Sequence, residues 1–267
     1  MTSSPTSSFS IEELEDRLAK HRGWRELERF GENLHDRPLE RHQLRVFLAS
    51  TCEFFREIPG GILALALRVT DDWMERDRFG AVARAGSVLY SAVDEYGLHD
   101  CARGIQKGHH TLFHDMAQQW GVTLDDLMNP ALILPEAVSL ARLTRDYYRS
   151  RDLGAGLGFH FASEKTSDRE FVLCNTGFSR HWQAYNLTDA RDPTLEFYYI
   201  HTLVEPMHGS TSADAVCAQA TLPGSPEQII AGAVAFMEGY GAFWAALNAQ
   251  IALDATHAHH APRATLV

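Results

Sequence analysis

Residues 196–208 read EFYYIHTLVEPMH, and this stretch decides how the rest of the chain is to be read. His201, Glu205 and His208 stand at i, i+4 and i+7. On a helix they project at roughly 0°, 40° and −20°, so two imidazoles and a carboxylate leave one face together. Carboxylate is a hard ligand and imidazole a borderline one, and the pair suits iron with positions left open. The simpler alternative is a solvated face on which the three side chains make only i, i+3 and i+4 contacts. Pro206 lies inside the motif, removes a backbone donor and crowds the preceding turn. The helix is therefore expected to be kinked or locally weak there, and to order with metal and substrate.

Helical signals extend on both sides of this stretch. Ser10-Ile11-Glu12-Glu13 is a helix start in which a hydroxyl and the Glu three residues on can cap each other's backbone donors, opening a helix to about Phe30. Leu39 to Glu57 has helical apolar spacing up to a break at Ile58-Pro59-Gly60-Gly61, after which a helix runs through Val69. From Trp73 to about Tyr96, Phe79, Val82, Gly86, Leu89 and Val93 form one stripe. Glu95 falls roughly opposite it. His109 to Trp120 closes at Gly121, and Pro135 opens a helix to about Ser150. The glycines of Gly154 to Gly158 predict close helix packing or backbone approach to a ligand. Ser225 to Leu253 is a long amphipathic helix with Ile230, Val234, Met237, Gly241 and Trp244 on its stripe. No strand alternation is long enough to build a sheet. The fold class is all-α, a bundle of about seven or eight helices.

Composition bounds the function. The chain has 267 residues, 45% of them hydrophobic and 22% charged, which fits one soluble globular domain. The expected domain is 9–254, between a disordered Ser/Thr-rich tail at 1–8 and a loose tail at 255–267. A formal charge of −11 without a local Lys/Arg cluster argues against nucleic acid as a partner. Cys52, Cys101, Cys174 and Cys217 form no CxxC pair and read as reduced thiols of a cytoplasmic protein. There is no secretory pattern at the start, and Ile62 to Leu67 is far too short to span a membrane.

Further acids and histidines complete the motif. Glu95 at a helix end and Glu164 after the glycines can supply carboxylates from other helices of the bundle. His160 and Glu164 stand at i, i+4, where a packed histidine is the simpler reading. In order, Arg41-His42 through Phe55-Arg56-Glu57-Ile58-Pro59, Asp94-Glu95-Tyr96-Gly97, His109-His110-Thr111-Leu112-Phe113, Phe161-Ala162-Ser163-Glu164 and Glu196 to His201 resemble the haem-oxygenase-like diiron oxidases and oxygenases. The resemblance covers about residues 38 to 210. It implies a haem-oxygenase-like fold and a metal site of Glu95, His109, Glu164, His201, Glu205 and His208 holding two Fe(II) ions, with O2 as co-substrate. Three departures stand out: Glu205 where Asp is more usual, a long gap from Glu95 to His109, and Pro206. His110 and His99 are the alternatives to His109.

The resemblance further implies a small carboxylate-bearing substrate, for which an amino acid is favoured. Its C–H abstraction would lead to desaturation, C–C cleavage, cyclisation or N-oxygenation in natural-product biosynthesis. Lys165, Arg169 and Arg180 are candidates to hold the carboxylate. An external electron donor and a homodimer are compatible with this reading. Three rivals stand beside it: haem oxygenase chemistry with His21 as axial ligand, a thiaminase-like enzyme with a Cys nucleophile, and a non-catalytic helical module that binds metal or a small ligand.

Overall fold

Glycine contacts show how closely the central helices approach. A Cβ on Gly158 would lie 1.9 Å from the carbonyl oxygen of Ile229, and one on Gly232 would lie 1.9 Å from that of Ala155. Only glycine permits this backbone contact between α9 (Leu153–Arg180) and α11 (Ser225–His260). The Gly154 to Gly158 run thus serves helix packing. α10 (Glu196–Ala220) lies along the other side of α9, and α2 (Arg22–Asp36) and α8 (Pro135–Tyr148) pack on α11.

The computed structural model describes residues 9–98 and 104–260, with side chains to residue 252. Among the described residues there are eleven α-helices and no strand. The number exceeds seven or eight because long segments divide. The first expected helix breaks into α1 (Ile11–Ala19) and α2, where His21 turns to cap the second by accepting from the Gly23 amide. Ser10 caps α1 through the Glu13 amide, while its hydroxyl donates to Glu12. α3 (Arg41–Phe55) is followed almost at once by α4 (Ile58–Met74), since Pro59 occupies the first turn of α4, where its missing N–H costs nothing. α5 (Arg78–Glu95), α6 (His109–Gln119) and the single turn α7 (Leu124–Leu127) complete the set. α10 is continuous through Pro206, and α11 extends seven residues past Leu253 to His260.

The structure reverses the expected orientation of α5. Phe79 is 94% exposed and Val82 65%, so the stripe that reads as a core face points outward. The buried face is Ala81, Ala85, Val88 and Ala92, whose small side chains let α5 close on α4 and α10. Glu95 is three residues beyond Ala92 and seven beyond Val88, on that inner face. Packing space, not hydrophobicity alone, chose the side.

The segment Ser225–Ala252 of α11 is long and apolar enough to cross a membrane by length and composition. Here Phe236, Met237, Tyr240 and Trp244 are buried, and Trp244 packs against Phe30 in a tilted contact with ring centroids 4.6 Å apart. Tyr240 donates to the buried carboxylate of Glu170 on α9 at 2.7 Å. Burial is the main cause that raises Glu170 to about 8, and the charge of Glu205 adds to it. A carboxyl raised in the folded state favours folding fully below its unfolded value of 4.5, and that contribution is lost as pH rises through about 8. Glu170→Gln, which does not titrate, should therefore gain on the native protein between pH 5 and 8 by a few kcal/mol in order of magnitude. Denaturant melts across that range check this; parallel pH profiles for the two proteins would refute it.

Candidate metal centre

The six residues expected as ligands come from four helices and line one cavity of about 250 Å³. They form two groups. Glu95, His109 and His201 make one, and Glu164, Glu205 and His208 the other, the ligand atoms of each lying within 4.8 Å of one another. The α10 triplet is therefore split. At 1.5 Å rise per residue, His201 and His208 stand about 10 Å apart along the helix, too far to share one ion.

The long gap before His109 is closed at its base. Gln106 donates to the Gly97 carbonyl at 2.7 Å, and Gly97 adopts φ 68°. A Cβ on Gly108 would lie 2.2 Å from the Glu95 carbonyl oxygen, so the chain returns directly beside the acid it left. This places His109, the first residue of α6, with its Nδ1 3.3 Å from Glu95 Oε1. His110 is half-exposed, 3.7 Å from Glu95 Oε2, and lies outside the group. His99 lies outside the described residues.

Around each imidazole, the neighbours select the free nitrogen. His201 Nδ1 donates to the Phe197 carbonyl one turn back, leaving Nε2 for the cavity, and Phe171 stacks on the ring with centroids 3.7 Å apart. His208 Nε2 donates to Asp94 at 2.9 Å, so Nδ1 faces Glu164 and Glu205, each at 3.6 Å. Asp94 acquires a role only in the fold; its one signal in the sequence is its place beside Glu95 in the segment Asp94-Glu95-Tyr96-Gly97. His160 is a packed histidine: its Nδ1 is 3.1 Å from the Tyr148 hydroxyl and 3.4 Å from Glu164 Oε1.

The electrostatics of this region call for a cation. Burial, followed by the charge of Glu205, raises Glu164 to about 8, and burial raises Glu205 as well. Burial opposes a charged His208, but the hydrogen bond to Asp94 and the nearby carboxylates of Glu205 and Glu164 outweigh it and raise the group to about 11. Burial likewise opposes ionisation of Glu95, yet the hydrogen bond from His109 and the nearby His110 imidazole hold it below the usual carboxylate range. Burial pushes His201 well down, which keeps the imidazole neutral as a ligand must be. His109 Nε2 and Glu205 Oε2 are buried with no hydrogen-bond partner in the protein. Three carboxylates, three imidazoles and two orphaned atoms fit iron.

Residues 67–241 match the family described as iron-containing redox enzymes. The chain belongs to this family. The match includes all six residues. Comparison with curated proteins returns no match. Among solved structures, a CADD-like protein of unknown function from Nostoc punctiforme is 16% identical, with 90% of this chain and 96% of that one covered and a TM-score of 0.64. A domain of unknown function with a heme oxygenase-like fold from Shewanella denitrificans is 11% identical, with 98% and 100% covered and a TM-score of 0.64. The fold is haem-oxygenase-like.

Other candidates lie elsewhere. Lys165 pairs with Glu15, and Arg169 binds Glu28 through two bonds of 2.7 Å; neither they nor Arg180 line the cavity. His21 caps α2 and is not a lining residue. Cys52 does line the cavity, but burial pushes its thiol up, away from the reactive thiolate.

Asp94 is a positioning residue in this geometry. Asp94→Asn should weaken ferrous binding at the Glu164–Glu205–His208 group about 10- to 100-fold and leave the other group bound. Anaerobic titration resolves the two affinities; two unchanged affinities would refute the role.

Proposed function

We propose that this iron-containing redox enzyme is a non-haem diiron, O2-dependent oxidase or oxygenase acting on a small carboxylate-bearing substrate. The observation that carries the reading is the division of the six side chains into two three-residue groups on one cavity. Each group offers an incomplete ligand set, which leaves room for O2 and substrate. When bound, a ferrous pair supplies the electrons for O2 reduction and the oxidising power for C–H abstraction.

The chain's own residues bind, orient and exclude water. Phe171 and Phe197 flank His201, and Asp94 orients His208. Phe55, Ile58, Ile62 and Phe113 form an apolar wall on the cavity, suited to a hydrocarbon body and to keeping water from the reacting carbon. His110 and His114, one turn apart on the same wall, are the imidazoles outside the ligand set that can meet a carboxylate. The preferred substrate is an amino acid with an apolar side chain. A simple alkyl or aryl carboxylate is the second reading, favoured because every acid among the described lining residues belongs to the six-residue set, which leaves an amino acid's ammonium without a partner.

Anaerobic loading with ferrous iron should saturate at about two ions per chain, and O2 should then give a transient visible band whose decay the right carboxylate accelerates. His201→Ala should abolish turnover by weakening one ion and His208→Ala by weakening the other. Less than one iron at saturation, or unchanged turnover in both variants, would overturn the proposal. A Soret band with one haem bound per chain would favour haem oxygenase chemistry instead.

A further inference from the structure

Glu164 and Glu205 face two spaces. One is the cavity with the apolar wall. The other is a separate cleft of about 270 Å³ between α1, α9 and α10, which both carboxylates also line. Outward along α9, Lys165 and Asp168 follow Glu164 on the cleft wall; along α10, Gly209 and Ala213 follow Glu205 at four-residue steps. A Cβ on Gly209 would meet nothing within 4 Å, so this side of the path is open. Across it, Glu15 of α1 holds Lys165 Nζ at 2.8 Å, both side chains partly exposed. Four carboxylates thus face one ammonium. At the inner end Glu205 is only 4% exposed, and its Oε2 is the orphaned acceptor.

We propose that this α1–α9–α10 cleft admits ferrous ions to the centre, with Glu15 and Asp168 drawing them in, while the organic substrate uses the apolar cavity. The inference rests on reading the six residues as an iron site. A hydrated dication passing Phe55, Ile58 and Ile62 would shed water with only the imidazoles of His110 and His114 ahead of the six residues to replace it and no carboxylate outside them, a larger desolvation cost than in the acidic cleft. The cleft has room for an ion that keeps several waters at about 30 Å³ each, and its carboxylates compensate those it loses. Carboxylates lining a cleft focus the field and raise cation association rates. Lys165 opposes that field, and its bond to Glu15 sets how much of it reaches solvent. The cleft is a path: Glu15 and Asp168 belong to neither group of three potential ligands.

The test measures uptake of ferrous ions by the metal-free full-length protein, without O2, as their transfer from a coloured chelator in stopped flow, together with final iron content. Asp168→Asn, which removes charge without changing shape, and Gly209→Leu, which fills the path and favours the helix, should each slow uptake about tenfold with final content unchanged. Lys165→Gln should accelerate it. Salt should slow the native protein more than Asp168→Asn. Leu124→Trp, placed where the apolar cavity meets solvent, should leave the rate as it was. Rates within about twofold of native for both Asp168→Asn and Gly209→Leu would overturn the port, as would slowing by Leu124→Trp alone. Native protein that takes up less than one iron would instead sink the iron-site reading, and the port with it.

Discussion

Burying Glu164 and Glu205, and largely burying Glu95, among three imidazoles inside a helical bundle is the constraint on which the rest of the structure depends. Each carboxylate taken from water must recover its lost solvation, and like charges at close range push one another toward protonation. Glu164 and Glu205 show this directly, since both are raised. Partial compensation comes from His208 and, at the first group, from His109 and His110. On the proposed reading, a cation in each group would complete it.

Rigid placement of these groups follows from close helix contact. α9 meets α11 backbone to backbone at Gly158 and Gly232, and α5 closes on its neighbours through alanines. Ligands on helices held this tightly keep their relative positions, and the outer partners select which atom each presents. Phe197 takes one nitrogen of His201; Asp94 takes one of His208. The aromatic packing around His201 adds steric confinement to this hydrogen-bond control.

The surroundings of the centre are asymmetric in chemistry. Toward α3, α4 and α6 they are hydrocarbon and aromatic; toward α1 they are charged and wettable. On the proposed reading, an enzyme that oxidises an organic molecule with a metal pair must handle two kinds of visitor with opposite solvation needs. Glu164 and Glu205 lie on the boundary of both spaces, which would give metal and substrate different approaches to the same atoms.

What the sequence determined by itself was local and periodic. The absence of strand alternation, the helix starts and the one-face spacing of His201, Glu205 and His208 follow from 3.6-residue geometry, while the family resemblance of the ordered segments brought in Glu95, His109 and Glu164. Tertiary structure decided what depends on neighbours. The side of α5 that faces inward depended on its neighbours: Ala81, Ala85, Val88 and Ala92 are buried, while the bulkier stripe begun by Phe79 and Val82 is exposed. The triplet divided between two groups because Glu95 and His109 arrive beside His201, and Glu164 beside Glu205 and His208, from other helices at different heights along α10. Asp94 and Glu170 acquired their roles only through His208 and Tyr240, which lie 114 and 70 residues away. No spacing rule within one helix reports a contact over that separation, because its cause is the packing of the whole bundle.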